Sequence, residues 1–366
     1  MKIGLVCPYN IFKGGGVQEC VLAMQKQLAT RGHDVHIITP TPRTVPDEIP
    51  GNIVLLGSST DFKSPFHTTT QVSVSVKIDV LQKTLDAYQF DILHFHEPWV
   101  PIVSRQILAK SGAKNVATFH AKLPDTIMSR TIEKVITPYT RSILKYLDSY
   151  TAVSDAAAEY VQTLTDAPIN IIPNGIDLSR YTASREVSKD KNILYIGRLE
   201  KRKGVKYLIK AYRTLAQEHP DVSLVIAGDG PDREKLEELA DDLPNVVFLG
   251  YISDDKKLQL LNSATVFCSP ALFGESFGIV LLEAMACNVP TLAGDNPGYR
   301  SVLKPQVDVS LVNPKHTHEF AQKLEALLFD EALRKQWKQW AQQYVSQFAY
   351  DKVVDQYEAL YKELVG

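Results

Sequence analysis

Short apolar runs rich in Val and Ile alternate with longer amphipathic patterns along the whole chain, and this alternation is the strongest constraint on its fold. A strand that is apolar at nearly every position must be covered on both faces, as in a parallel sheet sandwiched between helices. In the first half the pattern predicts strands near 2–7, 35–39, 53–56, 91–95, 115–119, 150–153 and 169–172, with helices near 17–31, 77–88, 99–110, 127–147 and 155–164. In the second half it predicts strands near 193–197, 222–227, 246–249, 265–268, 290–293 and 308–312, with helices near 204–218, 231–241, 255–262, 277–286, 317–328, 331–347 and 351–364. A length of 366 residues exceeds what one such core organises. The expectation is an α/β protein of two doubly wound domains, 1–175 and 176–348, with Pro173-Asn174-Gly175 and the polar stretch from Asp177 to Lys191 as linker. Ligands of such folds bind beyond the carboxyl ends of the strands, which points to a site between the domains.

Charge narrows the function classes. Lys and Arg total 40 against 42 Asp and Glu, and neither half is strongly polarised, which argues against a nucleic-acid binder built on phosphate neutralisation. The apolar runs are interrupted by charges well before about 18 to 20 residues, and MKIGLVCPYN enters a strand-like run without a cleavable leader pattern. A cytoplasmic protein is expected. Cys7, Cys20, Cys268 and Cys287 form no CxxC pair and read as buried thiols.

Two segments carry chemistry. After the first strand, Pro8-Tyr9-Asn10-Ile11-Phe12-Lys13-Gly14-Gly15-Gly16-Val17-Gln18 opens a helix, and glycines there let a backbone approach an anion at the helix start. The spacing matches neither a dinucleotide fingerprint nor a P-loop; phosphate binding is favoured here, with a tight turn needing glycine as the alternative. The second segment, Phe273 to Ala286, places Glu275 in a loop and Glu283 two turns along an apolar helix. Carboxylates fix sugar hydroxyls, while the backbone N–H groups of Ser276, Phe277 and Gly278 suit a phosphate. An unpartnered Glu283 on that helix would be costly.

The stretch GESFGIVLLEAMA resembles the paired-glutamate motif of the family-4 retaining glycosyltransferases, which have the two-domain GT-B fold. Ile196-Gly197-Arg198-Leu199-Glu200-Lys201-Arg202-Lys203-Gly204 is similar to the family's Arg/Lys element for the donor pyrophosphate, and His96-Glu97-Pro98, Thr118-Phe119-His120, Ala152-Val153-Ser154 and Pro173-Asn174-Gly175 agree in order. Cys7-Pro8-Tyr9 and Gly15-Gly16-Val17-Gln18 match the bacterial phosphatidyl-myo-inositol mannosyltransferases of that family. The resemblance implies catalysis through His120, Arg198, Lys203 and Glu275. It implies donor contacts from Gly15, Gly16, Ile252, Asp254, Ser276, Phe277, Gly278, Ile279 and Glu283, and acceptor contacts from Tyr9, Gln18, His120 and Asn174. It further implies a nucleotide-sugar donor, GDP-mannose above UDP-glucose, with retention of configuration and no essential metal. A C-terminal helix over 349–366 is expected to pack on the first domain. Lys201 and Arg202 rival Arg198 and Lys203, and Asp254 reads equally as a base contact or a helix cap. His94 and His96 share a strand face, but no third metal ligand is predicted for them.

On the acceptor side the chain departs from the inositol-transferring pattern, with Trp99 and Ala121-Lys122-Leu123-Pro124-Asp125 where polar runs are expected. In helix 127–147, Arg130, Lys134, Arg141 and Lys145 fall within about 60° of arc. That stripe fits weak contact with anionic lipid on the inner face of the membrane, or an ordinary solvated face.

Overall fold

A computed structural model describes residues 1–63, 69–100, 103–122, 127–181 and 191–366; the side chains of 59–63, 69–75 and 127–135 are outside the description. The chain divides into two compact units, Met1–Gly175 with Tyr350–Gly366, and Ile176–Ala349.

The first unit runs β1 (Lys2–Val6), α1 (Gly16–Thr30), β2 (Asp34–Thr41), β3 (Ile53–Lys63), β4 (Thr69–Ser75), α2 (Ile78–Tyr88), β5 (Ile92–His96), α3 (Val103–Leu108), β6 (Lys114–Phe119), α4 (Ile127–Leu144), β7 (Ser149–Ala152), α5 (Asp155–Gln162) and β8 (Ile169–Ile171). Its sheet has the order β4-β3-β2-β1-β5-β6-β7-β8. All pairs are parallel except β3 with β4, an antiparallel hairpin edge that apolar periodicity did not predict. The cause is composition: Thr69 to Ser75 alternates Thr, Ser and Gln with Val and has no continuous apolar run.

The second unit runs β9 (Asn192–Ile196), α6 (Val205–Glu218), β10 (Ser223–Ala227), α7 (Arg233–Leu239), β11 (Val246–Gly250), α8 (Asp254–Ser263), β12 (Val266–Ser269), α9 (Ile279–Ala286), β13 (Thr291–Gly294), α10 (Pro297–Leu303), α11 (Val307–Ser310), β14 (Leu311–Val312), α12 (Thr317–Phe329) and α13 (Glu331–Tyr344). Its six strands are ordered β11-β10-β9-β12-β13-β14 and all pair in parallel. The strand expected over 308–312 is mostly a helical turn, because the Trp337 indole donates to Ser310 Oγ and Lys323 caps the carbonyls of Asp308 and Leu311. Helix α10 lay outside the expectation; Asn296 caps it through the Tyr299 amide, and Pro297 is preset for its first turn. The stretch read as linker from Asp177 begins with a 3-10 turn, Leu178–Tyr181, whose Tyr181 is buried in the second unit; residues 182–190 are outside the description.

The last helix, α14 (Tyr350–Val365), returns to the first unit and packs on α1. Val353, Val354, Tyr357 and Tyr361 share a core with Ile3, Leu5, Val21, Met24 and Leu28. Arg31 joins Asp355 and Glu358 at 2.8 and 2.7 Å across the two helices. His94 on β5 is buried with both nitrogens occupied, Nδ1 by the Tyr361 hydroxyl at 2.5 Å and Nε2 by Thr118 Oγ1 at 2.6 Å. All four cysteines are buried and free. No helix among the described residues is long and apolar enough to cross a membrane.

In each sheet the strand order reverses at one point, between β1 and β5 and between β9 and β12. Helices leaving such neighbours go to opposite faces, which opens a crevice at their carboxyl ends. One test of the α14 tether is Tyr361→Phe, which strands a buried His94 nitrogen. Urea unfolding is expected to show a loss of about 1–3 kcal/mol with an unchanged denaturant slope.

Candidate functional site

In the second unit the loops after β9 and β12 carry the charged residues of the site. After β9, Arg198 is 40% exposed and its Nε lies 2.9 Å from Glu200 Oε1, an ion pair without ordinary hydrogen-bond alignment. Residues Lys201–Lys203 form a 3-10 turn closed by Gly204 at φ +71°, where a Cβ would sit 2.1 Å from the Pro270 carbonyl oxygen beyond β12. The two loops therefore touch backbone to side-chain position, and only glycine permits it. Across this contact Lys203 Nζ reaches Glu275 Oε1 at 2.7 Å and Arg202 Nη1 reaches the same oxygen at 2.9 Å. Arg202 also donates through Nε to Glu200 Oε2 at 3.0 Å. Arg198, Arg202 and Lys203 thus face Glu200 and Glu275, leaving an excess of positive charge.

Arg202, in the sequence a rival to Arg198 and Lys203, shares the Glu275 carboxylate with Lys203. Glu200 was not singled out, and its signal was burial at 8% exposure beside three basic residues. Next to Glu275, helix α9 begins at Ile279 with Gly278 at φ +116° and no side-chain cap, so its first N–H groups have no capping side chain. Ser276 and Ile279 are half-buried, while the Phe277 ring is buried against Phe348 at 5.9 Å.

Glu283, two turns along α9, is 7% exposed and is not unpartnered. Its Oε1 accepts from Tyr181 Oη at 2.9 Å and from Lys257 Nζ at 2.8 Å. Burial, then the adjacent Glu283 charge, push the Tyr181 phenol far above its usual range. Lys257 continues to Asp254 at 3.3 Å, itself 3.7 Å from Arg180 and 66% exposed. Asp254 is not the cap of α8: Ser253 caps it by accepting from the Lys256 amide. Ile252 is half-buried just before it.

In the first unit, the segment after β1 is pinned by Thr39, whose Oγ1 donates to the Tyr9 carbonyl at 2.8 Å and accepts from the Ile11 amide at 3.2 Å. Gly15 and Gly16 lead into α1, which starts without a side-chain cap, and Gln18 on its first turn is buried at 7% exposure. A Cβ on Gly15 would meet Gln18 Oε1 at 2.5 Å. Beyond β6, His120 is 9% exposed and its Nε2 pairs with His96 Nδ1 at 2.9 Å. Burial pulls the His120 pKa down to about 4, against an opposing pull from Asn174. The Asn174 amide oxygen is close enough for that, yet makes no hydrogen bond of ordinary geometry.

Glu97, known from the sequence only as part of His96-Glu97-Pro98 and given no site role, joins them. Glu97 is 1% exposed, takes a left-handed φ of 51°, and its Oε1 accepts from the backbone amides of both His120 and Ala121. Burial raises its pKa to about 8, opposed by those two amides. The Tyr9 phenol is raised by burial and then by the Glu97 charge. His94 lacks free nitrogens for a metal, as described, but Cys20 places its sulfur within 4.8 Å of ring nitrogens of His96 and His120. Burial lifts that thiol to about 12 and lowers both imidazoles, which makes the trio a set of neutral groups.

These arrangements meet known proteins along the whole chain. Residues 14–180 match the Glycosyltransferase Family 4 profile and residues 182–344 match Glycosyl transferases group 1. A phosphatidyl-myo-inositol mannosyltransferase from Mycolicibacterium smegmatis is 30% identical, over 100% of this chain and 95% of its own. An N-acetyl-alpha-D-glucosaminyl L-malate synthase from Bacillus anthracis is 28% identical, over 100% of this chain and 97% of its own. Among solved structures, sucrose-phosphate synthase from Thermosynechococcus elongatus superposes with a TM-score of 0.78 at 19% identity, covering 99% of this chain and 98% of that one. With relatives of this identity over its full length and two parallel-sheet Rossmann-like units of the matching architecture, the chain belongs to the family-4 and group-1 glycosyltransferases of GT-B fold.

Proposed function

We propose that the protein is a retaining α-mannosyltransferase that moves mannose from GDP-mannose to a lipid-linked or polyol acceptor, phosphatidylinositol being the model case. The observation that carries the reading is the pair of cations on Glu275, Lys203 at 2.7 Å and Arg202 at 2.9 Å, beside the uncapped start of α9. Glu275 holds both side chains in place before any ligand arrives. A departing nucleoside diphosphate gains negative charge as the sugar–oxygen bond breaks, and preorganised cations and helix N–H groups stabilise that charge without reorganising. In this reaction the acceptor oxygen bonds to the anomeric carbon, the bond from that carbon to the phosphate oxygen breaks, and the acceptor proton passes to the leaving phosphate. Retention follows when attack and departure share one face. No dedicated base and no metal are required.

Glu275 is assigned to the sugar hydroxyls and Glu283 to the ribose, with Asp254 near the base. Arg198, half in solvent beside Glu200, completes the diphosphate contacts. His120 and Asn174, with Tyr9 and Gln18, serve the sugar and acceptor. Mannose is favoured over other hexoses by the similarity to the mannosyltransferase. A UDP-glucose-dependent glucosyltransferase is the second reading, since the malate synthase relative is named for a different sugar. A lipid-linked acceptor would require the protein to meet a membrane surface. Arg141 on α4 and Lys145 in the turn after it are exposed and suit that task, while the side chains of Arg130 and Lys134 are outside the described residues.

Three outcomes check this reading. In a thermal-shift panel, GDP-mannose at a hundredfold excess over its Kd should stabilise the protein by about 2.7 kcal/mol, and UDP-glucose by less; the reverse order would favour the glucosyltransferase. Lys203→Ala and Arg198→Ala should each lower kcat by about 10²–10³-fold with the melting temperature preserved, measured by release of GDP. With anionic vesicles, Arg141→Ser/Lys145→Ser should weaken low-salt co-sedimentation. Absence of binding by the unaltered protein would favour a soluble acceptor.

A further inference from the structure

We propose that Glu97 is a ligand-binding residue of the first unit, its second carboxylate oxygen accepting a hydrogen bond from a hydroxyl of the hexose or polyol that meets His120. The proposal rests on the glycosyltransferase reading above and adds a residue and a contact to it.

The geometry is that of a side chain with one end used and the other waiting. Oε1 alone holds the amides of His120 and Ala121, so it ties the end of β5 to the segment that carries His120. Oε2 is buried and has no hydrogen-bond partner among the described residues. The neighbouring His96 Nε2 is in the same condition, on a side chain that is 0% exposed. Two unpartnered polar atoms on adjacent buried residues are unusual in a folded protein, where such groups nearly always find a partner. Both lie beside His120, the imidazole assigned above to the sugar and acceptor.

The backbone gives an independent sign. Among the described residues Glu97 is one of three non-glycine residues with a left-handed φ, at 51°, and it is the one that is buried beside the strand-order reversal. Strain of this kind is kept where the surrounding structure uses the resulting side-chain position. Here it turns the carboxylate toward the end of β6, where Oε1 meets the two amides.

A mere clamp does not require a carboxylate. Glutamine would present one carbonyl oxygen to the same two amides and would avoid burying an ionisable group. What glutamine lacks is a second acceptor. Sugar and polyol hydroxyls are donors of matching size, and a carboxyl group keeps a second oxygen to accept from them. The chemistry therefore selects a polyhydroxylated ligand.

The test compares Glu97→Gln with Glu97→Ala in the full chain. Glu97→Gln should keep the wild-type melting temperature and the Kd for free nucleotide, while kcat/KM for the acceptor falls about tenfold or more. Glu97→Ala should lose thermal stability as well. Wild-type kcat/KM in Glu97→Gln, with loss only in Glu97→Ala, would reduce Glu97 to a backbone clamp and overturn the proposal. Ligand-observed NMR with free mannose, glucose and myo-inositol separates this from the fate of the proposed function. If the wild type transfers no hexose, saturable binding of one of these that is lost in Glu97→Gln still supports the contact. Equal binding by both proteins, or none by the wild type, overturns it. Isotope-edited infrared spectroscopy of the glutamate carboxyl bands reads the wild type directly. An unchanged spectrum on adding the bound polyol would overturn the proposal even where Glu97→Gln fails to fold.

Discussion

The charged loops of the second unit and the Tyr9, Glu97 and His120 cluster of the first depend on the reversal of strand order beside the first strand of each sheet. Parallel strands need a covering connection between them, and successive connections on one side of β1 or β9 run over one face of the sheet while those on the other side run over the opposite face. The loops at the reversal diverge. In the first unit those loops and their neighbour carry Tyr9, Glu97 and His120; in the second they carry Arg198 to Lys203 and Phe273 to Gly278. The side chains differ, but the backbone reason for their convergence is the same.

The two units then treat charge in opposite ways. In the second, carboxylates that are buried or nearly so are matched at short range by partly exposed cations: Glu275 serves two cations, Glu200 serves two arginines, and Glu283 serves Lys257 and also the Tyr181 hydroxyl. Such a set can exchange one partner for a phosphate or a hydroxyl without leaving a charge stranded. In the first unit burial keeps His94, His96 and His120 neutral and drives the Glu97 carboxyl upward. Charge-assisted binding of a diphosphate belongs to the first pattern, and hydrogen-bonded recognition of an uncharged ring suits the second.

The periodicity of apolar residues and the position of glycine were enough to lay out the repeated strand and helix order, because both act over a few residues of chain. The segment from Phe273 to Ala286 was legible for the same reason: a loop carboxylate, glycines and an apolar helix follow one another directly. Sequence reading failed where a distant partner decides. Val307 to Ser310 has strand-like residues, yet Trp337 and Lys323 hold it as a helical turn. Tyr181, placed in a polar linker, is drawn into the second unit by Glu283, 102 residues away. Arg202, only a rival of Lys203 by its place in the sequence, meets the same carboxylate as Lys203, Glu275, 73 and 72 positions later.

Glu97 shows the same division most plainly. Its place after a strand and before Pro98 was visible, and so was its position in the His96-Glu97-Pro98 segment that resembles the family. Nothing local revealed that one of its oxygens would grip two amides at the end of β6 while the other stayed unpartnered. The sequence by itself determined the parallel α/β architecture, the glycine-led loops and the residue types available at their tips, since these follow from local period and local sterics. Only the tertiary structure decided which carboxylate meets which cation, which histidines stay neutral and which buried oxygen is left over. Those outcomes depend on burial and on partners that the chain brings together from far apart.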